Sequence, residues 1–125
     1  MNIYKEELLD HYKYPRNQGV IDNPDIAYKS GNPACGDTVS FTLNIENEKI
    51  SNIKFQGSGC VISQAVASML TEKVLGSSVE NIINMTKDDI LGLINISLGP
   101  TRLRCALLAL EALQMGIKNY LEKIS

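Results

Sequence analysis

The chain has 125 residues, of which 44% are hydrophobic and 21% are charged, and its formal net charge is −2. These values are typical of one soluble domain spanning residues 1–125, and they exclude the basic surface of a nucleic-acid-binding protein. No apolar run approaches membrane-spanning length, and a start that includes Glu6 and Glu7 is unlike a secretory signal, so we expect a cytoplasmic protein with no membrane partner.

The first predicted element is a helix that begins after a cap at Asn2 and runs to about residue 12. Leu8 and Leu9 supply its apolar contacts. Pro15 and the Asn/Gly turn chemistry behind it end the helix. The only histidine, His11, lies on this helix, where we expect a surface or packing position and not a metal ligand.

Two strands forming a hairpin are the clearest feature of the next region. Polar and apolar residues alternate from 38 to 45, which indicates a half-buried strand. A turn at 46–49 leads into a second strand that begins at about Ile50 and places Ile53 and Phe55 on one face. A short edge strand at 27–29, within the preceding loop, brings the sheet to about three strands.

Four helical segments follow the strands. Cys60 opens a helix that ends near Gly76, a short segment runs to about residue 83, and a capping box at 86–89 begins another helix. Pro100 suits a first helical position, so the last helix runs from there to about residue 123. Strands first and helices later predict an α+β fold: a small antiparallel sheet covered by helices, with a long C-terminal helix.

Three cysteines and one aspartate carry the candidate chemistry. Cys35 lies in a Pro/Gly-rich loop with Asp37 two residues later, Cys60 follows a Gly-Ser-Gly joint, and Cys105 lies just inside the last helix. An odd number of cysteines without paired spacing favours reduced thiols over disulfides. A single free cysteine is more often a small core residue, but three thiolates and a carboxylate suffice for one tetrahedral metal site if the fold gathers them.

Several segments carry a family resemblance: Gly-Asn-Pro-Ala-Cys-Gly-Asp at 31–37, Gly-Ser-Gly-Cys-Val-Ile-Ser at 57–63, Ala-Ser-Met-Leu-Thr-Glu at 67–72 and the segment at 11–19. Together they resemble the NifU N-terminal/IscU/SufU family of iron–sulfur cluster assembly proteins, over nearly the whole chain. The resemblance implies that Cys35, Asp37, Cys60 and Cys105 gather at one exposed end of the fold. There they would hold a transient iron–sulfur cluster, of the 2Fe–2S type, or a zinc ion.

Two departures separate the chain from a typical IscU. Arg104 stands where IscU-type members have histidine before the third cysteine, and residues 98–102 replace the Leu-Pro-Pro-Val-Lys segment that binds a dedicated chaperone. The second departure argues against a chaperone partner. Residues 101–106 resemble the SufU branch instead, yet the chain lacks the insertion of roughly 20 residues that SufU proteins carry between the second and third cysteines, long for a surface loop.

Three functions follow from this resemblance. The first is a scaffold, not itself an enzyme, that receives sulfur from a cysteine desulfurase and passes clusters to apo acceptor proteins. The second is a zinc-dependent sulfurtransferase, and the third is a structural zinc domain, which the widely spaced ligands disfavour. In a scaffold, Cys105 is the expected persulfide acceptor, because a helix start and Arg104 favour its thiolate. In a transferase, loop-borne Cys35 is expected to accept the persulfide.

Overall fold

The computed structural model describes residues 3–33 and 36–124. It confirms the predicted α+β class, while the expected cap at Asn2 lies outside the described residues. The elements in chain order are α1 (Ile3–Lys13), β1 (Ile26–Asn32), β2 (Asp37–Glu46), β3 (Lys49–Ser58), α2 (Val61–Val74), α3 (Val79–Ile83), α4 (Lys87–Ile94) and α5 (Pro100–Ile124). Among the described residues, no helix is both long and apolar enough to cross a membrane.

The three strands form one antiparallel sheet in the order β1-β2-β3. One face is buried, because the alternation in β2 turns Val39, Phe41 and Leu43 toward the core, where α2 and α5 pack. β1 is longer than predicted and pairs as far as Asn32 with Asp37. Its last residues have low strand propensity, and the hydrogen-bonded ladder with β2 overrides that preference.

The segment between α1 and β1 runs along the edge of β3 and over part of the other face of the sheet. The Phe55 N–H donates to the Asn17 carbonyl and the Gly19 N–H donates to the Phe55 carbonyl, both at 2.9 Å, so this segment closes the edge of β3. Further along, the Ile21 N–H donates to Thr42 Oγ1 at 3.0 Å, and Ile21 itself is buried. The outer face of the central strand is therefore partly covered near Thr42.

The hairpin between β2 and β3 turns through two residues with left-handed backbone, Asn47 (φ 54°) and Glu48 (φ 64°). This is the conformation of a type I′ turn. Glycine is the favoured residue at the second central position of such a turn. Replacing Glu48 with glycine should raise the free energy of unfolding by about 1 kcal/mol, because the left-handed region costs other residues that much. Urea denaturation measures the change. The matched variant Glu46→Gly, in β2, should be destabilised instead, and equal effects at both positions would contradict this account.

α1 packs against α2 through one apolar and one polar side chain. Leu8 is 3% exposed, as predicted, but the prediction for Leu9 is wrong: it lies at the surface and is 36% exposed. The inward position goes to His11, which is 5% exposed and places Nδ1 2.8 Å from the Ser68 hydroxyl. His11 is therefore a packing residue and not a surface residue.

Stability should fall between pH 7 and pH 5 because of His11. Burial first, and Arg16 second, lower the pKa of His11 below its usual 6.5, and they outweigh Glu72, which acts in the opposite direction. The unfolded chain therefore takes up the proton before the folded chain does, so this contribution is present above pH 6.5 and is lost as the pH falls through the lowered pKa. In His11→Asn, which can keep the bond to Ser68, the free energy of unfolding from urea titrations should vary less over this range. An unchanged slope would mean that other groups cause the loss.

Candidate metal centre

Asp37 is placed by the alternation of β2. It is the first residue of the strand and continues the inward row of Val39 and Phe41. A carboxylate in this row is buried at the end of the sheet, and Asp37 is only 1% exposed. A buried carboxylate needs hydrogen-bond or ionic partners, so this position is costly unless it serves a specific purpose.

The chain after β3 passes directly against this carboxylate. Gly59 has φ 134°, and a Cβ atom there would lie 2.1 Å from Asp37 Oδ1 and 2.8 Å from Asp37 Cα. The next residue, Cys60, donates its backbone N–H to Oδ1 at 2.8 Å. The glycine therefore allows the backbone close enough for its amide to hold the carboxylate in place.

Cys60 is the N-cap residue of α2. Its Sγ accepts a hydrogen bond from the Ser63 N–H at 3.4 Å, as a serine hydroxyl does at other helix starts. The same sulfur lies 3.1 Å from Asp37 Oδ2, to which its thiol proton can be donated. One carboxylate thus holds both the amide and the thiol of Cys60, which is half-buried and reachable from solvent.

Cys105 completes the described part of the site. It is 4% exposed and lies more than one turn into α5, beyond the free N–H groups of the helix start. Cys60, and not Cys105, therefore has the helix-start position. One ligand atom from each of Asp37, Cys60 and Cys105 lies within 4.8 Å of the others.

These three ligand atoms fit one metal ion. Bonds of about 2.3 Å to sulfur and about 2.1 Å to oxygen in a tetrahedron place a sulfur and an oxygen about 3.6 Å apart and two sulfurs about 3.8 Å apart. Ligand atoms that all lie within 4.8 Å of one another can reach these separations through small side-chain shifts. Two thiolates and a carboxylate are a donor set suited to zinc or to iron–sulfur chemistry.

Two other residues singled out in the sequence, Cys35 and Arg104, are not part of this described cluster of ligand atoms. Cys35 lies outside the described residues, although only Gly36 separates it from Asp37 in the sequence. Arg104 is exposed and lines a small groove with Asn32 and Pro33, beside the hairpin that connects β1 to β2. Its guanidinium has no lone pair and cannot be a ligand.

Sequence reasoning missed two buried polar residues behind Cys60. Ser63 is fully buried and Gln64 is 9% exposed. Gln64 Nε2 donates to the Thr38 carbonyl at 3.1 Å and to Ser63 Oγ at 3.0 Å. The signal in the sequence is their spacing, three and four residues after a capping cysteine, on a helix that is otherwise apolar on its inward side.

The capping role of Cys60 predicts different outcomes for two substitutions. Cys60→Ser keeps a side-chain acceptor at the helix start, so the metal-free protein should keep nearly its full stability. Cys60→Ala should lose about 1 kcal/mol, because the Ser63 N–H loses its partner. Urea denaturation with a chelator present measures this. Both variants should bind zinc much more weakly, since neither offers a thiolate, and tight zinc binding by Cys60→Ala would show that Cys60 is not a ligand.

The chain is similar to known proteins over most of its length. The family model described as the NifU-like N terminal domain matches residues 3–125. The chain is 41% identical to the iron-sulfur cluster assembly scaffold protein IscU of Aquifex aeolicus, over 96% of this chain and 77% of that protein. It is 35% identical to the zinc-dependent sulfurtransferase SufU of Bacillus subtilis, over 92% of this chain and 89% of that protein.

A solved structure shows the same fold. The crystal structure of FiSufU from Fervidobacterium islandicum AW-1 superimposes with a TM-score of 0.75 and 26% identity, over 90% of this chain and 94% of its own. The similar sequences and the similar structure thus each cover most of the chain. This chain belongs to the family of NifU-like N-terminal domains.

Proposed function

We propose that this protein is a scaffold for the assembly and transfer of iron–sulfur clusters. One observation carries the proposal: an oxygen of Asp37 and the sulfurs of Cys60 and Cys105 lie within 4.8 Å of one another at one end of the fold. Cys35, two residues before Asp37, is the proposed fourth ligand. A cysteine desulfurase would supply the sulfur, and apo iron–sulfur proteins would take the finished cluster.

The ligand set suits temporary binding. Thiolates are the usual ligands of iron–sulfur clusters, whereas a carboxylate is a harder and weaker partner for the cluster iron. Asp37 is also held by the Cys60 N–H through Oδ1, which leaves Oδ2 to face the metal. A cluster on this site would therefore have one ligand that is weaker than the thiolates and more easily exchanged.

The delivery of sulfur needs a thiolate on the scaffold. The outer sulfur of the desulfurase persulfide passes to that thiolate, and the desulfurase cysteine leaves as a thiolate, so the exchange needs no further oxidant. Cys105, which follows the cation Arg104 in the sequence, stays the proposed acceptor in a scaffold. Free thiols of this kind belong in a reducing compartment, so we place the protein in the cytoplasm.

Anaerobic reconstitution tests the proposal. Protein incubated with ferric iron and sulfide should gain the visible absorbance of a thiolate-bound cluster, and should then transfer it to an apo-ferredoxin. Cys60→Ser and Cys105→Ser should lose the stable cluster, while the control Asp22→Ala, an exposed carboxylate away from the site, should behave as the wild type. A wild-type protein that binds iron without any sulfur-to-iron absorbance would refute the scaffold function.

A zinc-dependent sulfurtransferase is the second candidate, and the similarity to SufU favours it. The alignment with SufU spans 132 positions but includes only 92% of this chain, so SufU has residues in the aligned region that have no counterpart here. The alignment with Aquifex IscU contains almost no such unmatched residues. This difference favours the scaffold.

Mapping of the persulfide separates the two functions. The protein is incubated with a desulfurase and cysteine, with and without zinc, and the modified thiol is located by mass spectrometry. Persulfide on Cys35 that forms only with zinc bound, together with faster desulfurase turnover, would establish the transferase. Persulfide on Cys105 without zinc would support the scaffold.

A further inference from the structure

We propose that Ser63, oriented by Gln64, is a positioning residue whose hydroxyl donates a hydrogen bond to the Cys60 sulfur once that sulfur is deprotonated and metal-bound. The inference rests on the proposed function only in that Cys60 must bind metal. It assigns a role to two residues that are not ligands themselves.

The first support is the position of the Ser63 hydroxyl. Its oxygen lies 3.7 Å from Cys60 Sγ and 3.2 Å from the Cys60 carbonyl oxygen, while the Ser63 backbone N–H already points at the same sulfur from 3.4 Å. The hydroxyl can thus turn from the carbonyl to the sulfur by rotation about one bond. A sulfur that receives both the N–H and the O–H of one residue is held in a fixed position.

The second support is the side chain of Gln64. Its amide nitrogen donates to Ser63 Oγ at 3.0 Å and is itself fixed by the Thr38 carbonyl at 3.1 Å. Because Gln64 donates, Ser63 Oγ accepts there, and the Ser63 proton stays available for Cys60. Ser63 is completely buried, so no solvent competes for that proton.

The protonation state of the Cys60 sulfur decides which group donates the hydrogen bond between Cys60 and Ser63. A thiol can donate its proton to Asp37 or to Ser63, but a metal-bound thiolate has no proton and can only accept. In the metal-bound state a hydrogen bond between these two groups must therefore run from the Ser63 hydroxyl to the sulfur, where it stabilises negative charge on the ligand. Partners of this kind, behind a metal ligand, typically change metal affinity by about 10- to 100-fold.

Zinc and cobalt binding by the intact protein test the proposal. Ser63→Ala removes the hydroxyl and keeps the capping N–H, and its zinc affinity, from competition with a chelator, should fall about tenfold. Its cobalt complex should show a shifted sulfur-to-cobalt charge-transfer band. Ser63→Thr keeps a hydroxyl and should restore both values. The control Ser58→Ala removes an exposed hydroxyl that lies near Thr38 Oγ1, and should change neither.

The role of Gln64 is tested by a double-mutant cycle. If Gln64 acts through Ser63, Gln64→Leu should weaken zinc binding severalfold, and the double variant should be no worse than Ser63→Ala alone. Additive losses, or a Ser63→Ala variant with wild-type affinity and an unshifted band, would overturn the proposal. If wild-type protein shows no sulfur-to-cobalt band at all, the proposed function fails first, and that result is distinct from either of these.

Discussion

Gly59→Ala is expected to abolish metal binding and to destabilise the protein strongly. The added Cβ would lie 2.1 Å from Asp37 Oδ1, 2.7 Å from its Cγ and 2.8 Å from its Cα. The last of these is a backbone-linked atom that cannot turn aside, and φ 134° is unfavourable for alanine. Either the carboxylate leaves the site or the joint between β3 and α2 shifts, at a cost of about 3 kcal/mol.

The measurements are urea denaturation of the metal-free protein and zinc affinity by chelator competition. Gly76→Ala is the matched control, because Gly76 also has a positive φ of 85° but a Cβ there would meet nothing within 4 Å. It should cost about 1 kcal/mol from backbone strain alone and leave zinc affinity unchanged. Equal effects of the two substitutions would show that strain, and not the approach to Asp37, explains the result.

Asp37→Ala should slow the transfer of a reconstituted cluster by about tenfold while the protein still folds. The carboxylate is the weakest ligand in the proposed set, and without it the cluster iron loses the position at which an acceptor ligand exchanges most easily. The Cys60 N–H also loses its acceptor, so the metal-free protein should be less stable by about 1–3 kcal/mol.

Absorbance and circular dichroism of an apo-ferredoxin acceptor follow this transfer, with all variants loaded to the same iron content. Asp22→Ala, which removes an exposed carboxylate, is the matched control and should transfer at the wild-type rate. Transfer by Asp37→Ala that is as fast as that of the wild type, or faster, would count against a role of Asp37 in release. Failure to load any cluster would show instead that Asp37 is needed for assembly.

Periodicity made most of the fold predictable. The strict alternation in β2 and the apolar stripe of α5 reflect burial on one side, and burial is what sequence patterns report best. β1 was harder to predict, because Gly31 and Asn32 are poor strand formers and extend the strand only through pairing with β2. Leu9 was misplaced because two adjacent leucines on a helix cannot both face one neighbour at the centre of its contact.

The proximity of Asp37, Cys60 and Cys105 agrees with what the sequence predicts, whereas the contacts around them could not be predicted. The cysteine motifs identify Cys60 and Cys105, and the structure brings both to Asp37. The capping of α2 by Cys60 depends on the backbone dihedral angles of that residue. The orientation of Ser63 by Gln64 depends on the hydrogen bond from Gln64 to the Thr38 carbonyl. Such contacts join residues far apart in the sequence, and no local pattern encodes them.

Asp37 belongs to the same inward-facing row of β2 as the core residues Val39 and Phe41. This limits where residues can be inserted into the chain. A single residue inserted between Asp37 and Val39 would turn the carboxylate to the outer face of the sheet, while the pairing of the rest of β2 could persist. A substitution keeps that register, whereas an insertion inside the strand changes it. Engineers who wish to add a second ligand beside the metal centre should therefore substitute existing residues, and should leave both the strand and the connection that carries Cys35 at their present length.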